Sequence, residues 1–149
     1  MNAHLKSVLY GVPLFAGMDD SGFAFLAAGA QESTLPAGHV IIREGDPGRQ
    51  LFLLRRGQVR VFRASAQGEV ELMRLSAPNS FGEMSILEEL PRSASVQAVT
   101  AVDLVLVPRI RFELLASDLP AQYAVVAANM ARDLSARLRL LGDEFARRH

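Results

Sequence analysis

The sequence predicts a mainly β fold with flanking helices: an antiparallel, jelly-roll-like β-roll set between N-terminal helices and a long C-terminal helix. Three observations predict it. From Glu32 to Pro108, short apolar runs are divided by breaks rich in glycine and proline, the pattern of many short strands in a roll or sandwich. On either side of that region, apolar residues recur at the helical period instead. Half of the 149 residues are hydrophobic, enough to bury one core. The expected organisation is a single domain over residues 1–149, with N-terminal helices in 1–30, the β-roll in 31–108 and C-terminal helices in 109–149.

The elements follow in chain order. Leu5, Val8 and Leu9 share one helix face, and Pro13-Leu14-Phe15 interrupts that helix. Asp19 or Asp20 caps a second helix running through Phe23 and Leu26 to Ala28, with Gly29 as its stop. Strands are expected at Val40–Arg43, Leu51–Arg55, Gln58–Ala64, Val70–Leu75, Val96–Ala98 and Val102–Val107. Within the third of these, Val59 and Val61 alternate with Arg60 and Arg63, as on a half-buried strand. After Pro108 a short helix runs to Leu115, and Pro120 occupies the first turn of a long one, where proline costs nothing. Along that helix an apolar stripe of Tyr123, Val126, Met130, Leu134, Leu138, Leu141 and Phe145 continues nearly to the terminus. Such a stripe packs either on its own domain or across a homodimer.

Composition narrows the function. Formal net charge is zero, without the basic footprint of a stand-alone nucleic-acid binder. Absence of cysteine excludes disulfides and thiolate chemistry. His4, His39 and His149 are too far apart in sequence for a metal-ligand spacing or a credible catalytic triad, so neither an enzyme of the metal-dependent jelly-roll type nor a catalytic cofactor is expected. No apolar run reaches the ~18 residues of a membrane span, and the N-terminus lacks signal-peptide character. A cytoplasmic protein is the expectation.

The most informative residue is Arg92. It follows Pro91 and precedes the small residues Ser93 and Ala94, just ahead of a strand. A guanidinium presented from such a turn can meet a phosphate with two parallel donors, which lysine cannot do. Glu83 lies nine residues earlier and can accept a hydrogen bond from a sugar hydroxyl. Gly82 permits close backbone approach, and the amides of Met84 and Ser85 open a short helical stretch that favours an anion. Together these residues point to a nucleotide. A surface ion pair of Arg92 with Glu88 or Glu89 is the competing reading.

Phe81-Gly82-Glu83 with Pro91-Arg92-Ser93-Ala94 resembles the phosphate-binding cassette, residues 81–94, of the cyclic nucleotide-binding domains found in catabolite activator proteins, protein kinase A regulatory subunits and cyclic-nucleotide-gated channels. The resemblance extends to Gly38–Asp46 and to Leu51–Val61, and so covers nearly the whole chain. It implies a non-enzymatic receptor whose site comprises Phe81, Gly82, Glu83, Met84, Ser85, Arg92, Ser93 and Ala94, with cAMP or cGMP as ligand. Serine after the arginine leans toward cAMP without excluding cGMP. The base is expected against Val61 and Leu72 and beneath the long helix. There the resemblance departs from the activator pattern: Arg137 and Leu138 stand where its adenine-reading Thr-Ser pair would be. Arg137 can instead stack on the base, or remain a solvated charge. No DNA-reading helix pair follows the long helix, so a stand-alone sensor is expected, reporting to an effector protein or a dimer mate. The same fold used as a cyclic-dinucleotide receptor, or as a ligand-free interaction module, is the alternative.

Overall fold

The computed structural model describes residues 3–87 and 90–148, with backbone alone at Ala3 and Ser85. Helix α1 (Ala3–Tyr10), a 3-10 turn (Pro13–Phe15) and α2 (Asp20–Ala27) precede strands β1 (Gln31–Leu35), β2 (Val40–Ile42), β3 (Gln50–Arg56), β4 (Gln58–Ser65), β5 (Gly68–Ser76) and β6 (Asn79–Phe81). A short α3 (Met84–Leu87) leads to β7 (Ser95–Ala98) and β8 (Val102–Pro108), followed by α4 (Arg109–Asp118) and α5 (Pro120–Arg148). The expected mainly β roll with flanking helices is the observed fold. Two strands, β1 and β6, are additional to those expected. β1 is polar and largely exposed, and β6 is only three residues long, so neither carries a strong apolar period.

The strands form two four-stranded antiparallel sheets, ordered β1-β8-β3-β6 and β2-β7-β4-β5. In β3, alternation splits one continuous apolar run between two cores. Leu51 and Leu53 pack toward the helices with Val105 and Val107, while Phe52 and Leu54 pack between the sheets with Val59, Phe81, Val96 and Leu104. Burial on both faces explains why Leu51-Phe52-Leu53-Leu54 shows no polar alternation. By contrast, β5 is exposed along most of its length and pairs on one side only, with β4.

The helical layer closes the first core. Phe15, Leu26, Phe112, Leu115 and Val126 are fully or almost fully buried there. Asp19 is the N-cap of α2, accepting from the amides of Ser21 and Gly22 at 2.9 and 3.2 Å, which satisfies two donors otherwise orphaned at the helix start. Asn129 on α5 donates to the carbonyls of Leu14 and Ala16 at 2.8 and 2.9 Å. Arg111 on α4 donates to the Phe25 carbonyl at 2.7 and 2.9 Å and lies over the Phe25 ring. These bonds tie the C-terminal helices to the N-terminal ones. The stripe of α5 is buried at Val126 and Met130 but emerges beyond Leu134: Leu138, Leu141 and Phe145 are 70%, 63% and 65% exposed.

Candidate phosphate and ribose site

Strand β6 delivers the site. Phe81 is buried and stacks on Phe52 of β3, with centroids 5.1 Å apart and planes 2° from parallel. This aromatic pair anchors the point where the chain leaves the sheet. Gly82 follows with φ of +79°, a conformation in which a side chain is strained. A Cβ there would stand 2.8 Å from Arg92 Nη1 and 3.3 Å from the Gln50 carbonyl oxygen. Glycine at 82 therefore serves both the turn and the arginine beside it.

The Arg92 loop is held by backbone bonds to the turn after β2. The Arg92 amide donates to the Asp46 carbonyl and the Gly45 amide donates to the Arg92 carbonyl, each at 2.8 Å. Below it, buried Ser95 accepts from the Glu44 amide at 2.9 Å. The Arg92 side chain is half-buried; Nη2 donates to the Gln50 carbonyl at 2.9 Å and Nη1 to the Gly82 carbonyl at 3.3 Å. Its guanidinium carbon lies 5.9 Å from the centre of the Phe52 ring. Burial pulls the Arg92 pKa down, opposed by the charge of Glu83. An anion brought to this guanidinium would replace hydration that burial has already removed.

Glu83 is the second charged group. Burial pushes its carboxyl above the usual range, against the lowering effects of a hydrogen bond from its own backbone and of the Arg137 charge, while Asp133 raises it further. Oε1 accepts from Arg137 Nη2 at 3.4 Å. Oε2 is buried with no hydrogen-bond partner among the described residues. An unpaired buried acceptor costs about 1–3 kcal/mol; this oxygen is enclosed by protein, so a ligand hydroxyl meets it only if the Glu83 side chain turns.

Both charged groups line one cavity of about 330 Å³, within the roughly 300–1,000 Å³ typical of small-ligand clefts. Phe81, Gly82, Met84, Ser93, Ala94, Val61, Leu72 and Arg137 line it too. The structure thus brings together the sequence-derived site residues, apart from Ser85, whose side chain lies outside the described residues, as do Glu88 and Glu89 of the competing ion pair. Val61 and Leu72 stand with Ile42, Met73, Leu75 and Val96 as an apolar wall. Arg137 reaches the carboxylates of Glu83 and Asp133, at 3.4 and 3.0 Å. The backbone contacts from Gln50, Gly45 and Asp46 were not legible in the sequence, because carbonyls and amides carry no residue signature. Among the described residues no group of three or more His, Asp or Glu is placed to hold a metal ion.

Replacement of Gly82 tests the close approach. Gly82→Ala is expected to cost about 1–3 kcal/mol of stability through backbone strain and to weaken ligand binding as well, because the new methyl displaces Arg92. Gly38 has a φ of +89° but open space around its Cβ position. Gly38→Ala is expected to lower the melting temperature without changing affinity. Equal affinity losses in the two variants would show that the Arg92 contact is immaterial.

Comparison with known proteins agrees with this geometry. The chain is 37% identical over 130 residues to the cyclic AMP receptor protein of Thermus thermophilus, covering 87% of this chain and 58% of the relative. It is 29% identical to a CRP-like cAMP-activated global transcriptional regulator of Mycobacterium tuberculosis, covering 95% of this chain and 62% of that protein. The chain therefore spans about three fifths of the length of these curated relatives. Among solved structures, a cyclic nucleotide-binding domain from Methylobacillus flagellatus superposes with a TM-score of 0.82 at 25% identity, over 99% of this chain and 84% of that one. The catabolite activator protein of Thermus thermophilus gives 0.77 at 36% identity, over 90% and 62%. The family model of the cyclic nucleotide-binding domain matches residues 32–118. That span runs from β1 through α4 and takes in every residue lining the cavity, Gly82, Glu83 and Arg92 included, except Arg137; the chain belongs to the cyclic nucleotide-binding domain family.

Proposed function

We propose that this chain is a non-enzymatic receptor for a cyclic mononucleotide, with cAMP favoured over cGMP. The observation that carries the reading is the placement of Arg92 and Glu83 on one cavity. Arg92 meets the cyclic phosphate, aided by the backbone at Met84 and Ser85. Glu83 accepts from the ribose 2′-hydroxyl, and Gly82 keeps the wall close. Ser93 and Ala94 complete the phosphate end. The base lies against Val61 and Leu72 and under α5. The relatives named for cAMP support the choice of nucleotide.

In this reading residues 1–149 act as one cytoplasmic sensing unit. Ligand shifts the balance of α5 positions, and the shift is passed to an effector protein or to a dimer mate. The exposed Leu138, Leu141 and Phe145 on α5 supply the apolar face for that contact. No helix among the described residues is long and apolar enough to cross a membrane.

Calorimetry with cAMP, cGMP and a cyclic dinucleotide tests the reading. The expected result is saturable binding of cAMP, weaker binding of cGMP and none of the dinucleotide. Glu83→Gln is expected to weaken cAMP about tenfold or more, since a hydrogen bond to a charged group contributes roughly 1.5–3 kcal/mol. Failure of the intact chain to bind any of the three would leave the ligand-free module as the better account; binding of the dinucleotide alone would make it a dinucleotide receptor.

A further inference from the structure

The chain has five methionines and no cysteine, so all of its sulfur is thioether sulfur. The four methionines among the described residues divide sharply by exposure. Met18 and Met130 are 8% and 2% exposed, in the core closed by the helices, whereas Met73 and Met84 are 41% and 47% exposed. Both exposed residues line the cavity that holds Arg92 and Glu83. The accessible methionines among the described residues therefore stand at the ligand wall, and the other two are sheltered.

Local structure explains how Met73 comes to face the cavity. Along β4 and β5, Val61 pairs with Met73 and Phe62 with Glu71, which leaves Leu72 as an extra residue in the ladder. Such a bulge breaks the alternation of faces. Leu72 and Met73, consecutive in sequence, consequently line the same cavity, with Val61 and Leu75 beside them. Met84 comes from the first turn of α3, directly after Glu83. One methionine thus belongs to the apolar wall, and the other to the segment that carries the carboxylate.

A thioether is soft and apolar and suits an irregular wall. Hydrogen peroxide changes that. The sulfur lone pair attacks one peroxide oxygen, so that an S–O bond forms and the O–O bond breaks. The departing hydroxide takes the proton of the transferred hydroxyl and leaves as water. Sulfur is oxidised to the sulfoxide as the peroxide is reduced to water. The product is polar and chiral where the wall was apolar, and closing a ligand over it carries a desolvation penalty. We propose that Met73 and Met84 form an oxidation site in the ligand wall: a peroxide acting there lowers nucleotide affinity, and bound nucleotide shields both residues. This rests on the cyclic-nucleotide reading and adds a second chemical input to it. Because methionine sulfoxide is reduced enzymatically, the loss of affinity is reversible.

Hydrogen peroxide applied to the intact chain tests the proposal, with peptide mass spectrometry to locate the added oxygen and calorimetry to read cAMP affinity. Met73 and Met84 should oxidise ahead of Met18 and Met130, and saturating cAMP should slow the reaction at both. The oxidised protein should bind cAMP about three- to tenfold more weakly, as when a polar group replaces an apolar one at a closed contact. Methionine sulfoxide reductases should restore the starting affinity. Thermal melts of the nucleotide-free oxidised protein should stay close to those of the parent, because the core methionines are untouched. The double variant Met73→Leu with Met84→Leu nearly conserves volume; its affinity, measured before and after peroxide, should not change on treatment. Unchanged affinity once Met73 and Met84 carry the oxygen would overturn the proposal. So would a loss that persists in the double variant, or oxidation of Met18 and Met130 at the same rate. Failure of the untreated parent to bind any cyclic nucleotide would overturn the receptor reading, and the effect on affinity with it.

Discussion

Arg92→Ala is expected to weaken cAMP binding by roughly 3–5 kcal/mol, or about two to three and a half orders of magnitude in Kd. The guanidinium is half-buried and its charge is opposed by burial, so the site already bears the desolvation cost that makes an anion welcome. In the proposed complex, two parallel donors to the cyclic phosphate add a charge-assisted bond that alanine cannot replace. The same side chain also ties Gln50 to Gly82 through their carbonyls, so its loss has a structural component. Arg92→Lys separates the two. Lysine retains a charge but not the planar fork, and is expected to recover part of the affinity while leaving the carbonyl bridge incomplete. Titration calorimetry for affinity, paired with thermal melts of the nucleotide-free protein, reads the components independently. A variant that melts close to the parent and binds within about threefold of it would remove Arg92 from the phosphate site.

What could be foreseen of this site, and what could not, follows from which groups do the holding. Arg92, Glu83 and Gly82 announce themselves as residue types: a fork of donors, an acceptor and a backbone without a Cβ. Phe81 is legible as an apolar residue, but its stacking on Phe52 depends on the β3–β6 register, and β6 is too short to show a strand period. The clamp on the Arg92 loop is built from the main chain of Gly45 and Asp46, and main-chain groups are the same in every sequence. Arg137 could be placed on the long helix from its period, but its meeting with Glu83 depends on how far α5 is turned against the roll. That angle is set by Asn129 on the carbonyls of Leu14 and Ala16 and by the burial of Val126 and Met130. The roll itself was readable because Leu51–Leu54 and Val102–Val107 are so densely apolar; the two-sided burial of β3 and β8 explains that density.

The same two-core arrangement makes Phe112→Ala the substitution with the largest expected effect on stability. Phe112 is fully buried in α4, and its ring lies 6.4 Å from that of Phe15, with planes 20° apart. Truncating a buried phenylalanine to alanine costs about 3–5 kcal/mol through lost transfer energy and the cavity left behind. For a domain of this size that is a large share of a total of about 5–15 kcal/mol, and at roughly 2–4 °C per kcal/mol it lowers the melting temperature by about 6–20 °C. The cavity would open between the 3-10 turn and α4, in the cluster that also seats Val126 and Met130 of α5. Phe52, Phe81 and Val96 belong to the other cluster, between the sheets. The phosphate wall should therefore survive the substitution, and saturating cAMP should still raise the melting temperature of the variant. Calorimetric melts with and without nucleotide separate the alternatives. A drop of less than about 3 °C would mean that the helical layer adds little to the stability of the fold. A full drop with no nucleotide rescue would mean that the two cores are not energetically distinct, and that the site depends on the helices for more than the position of Arg137.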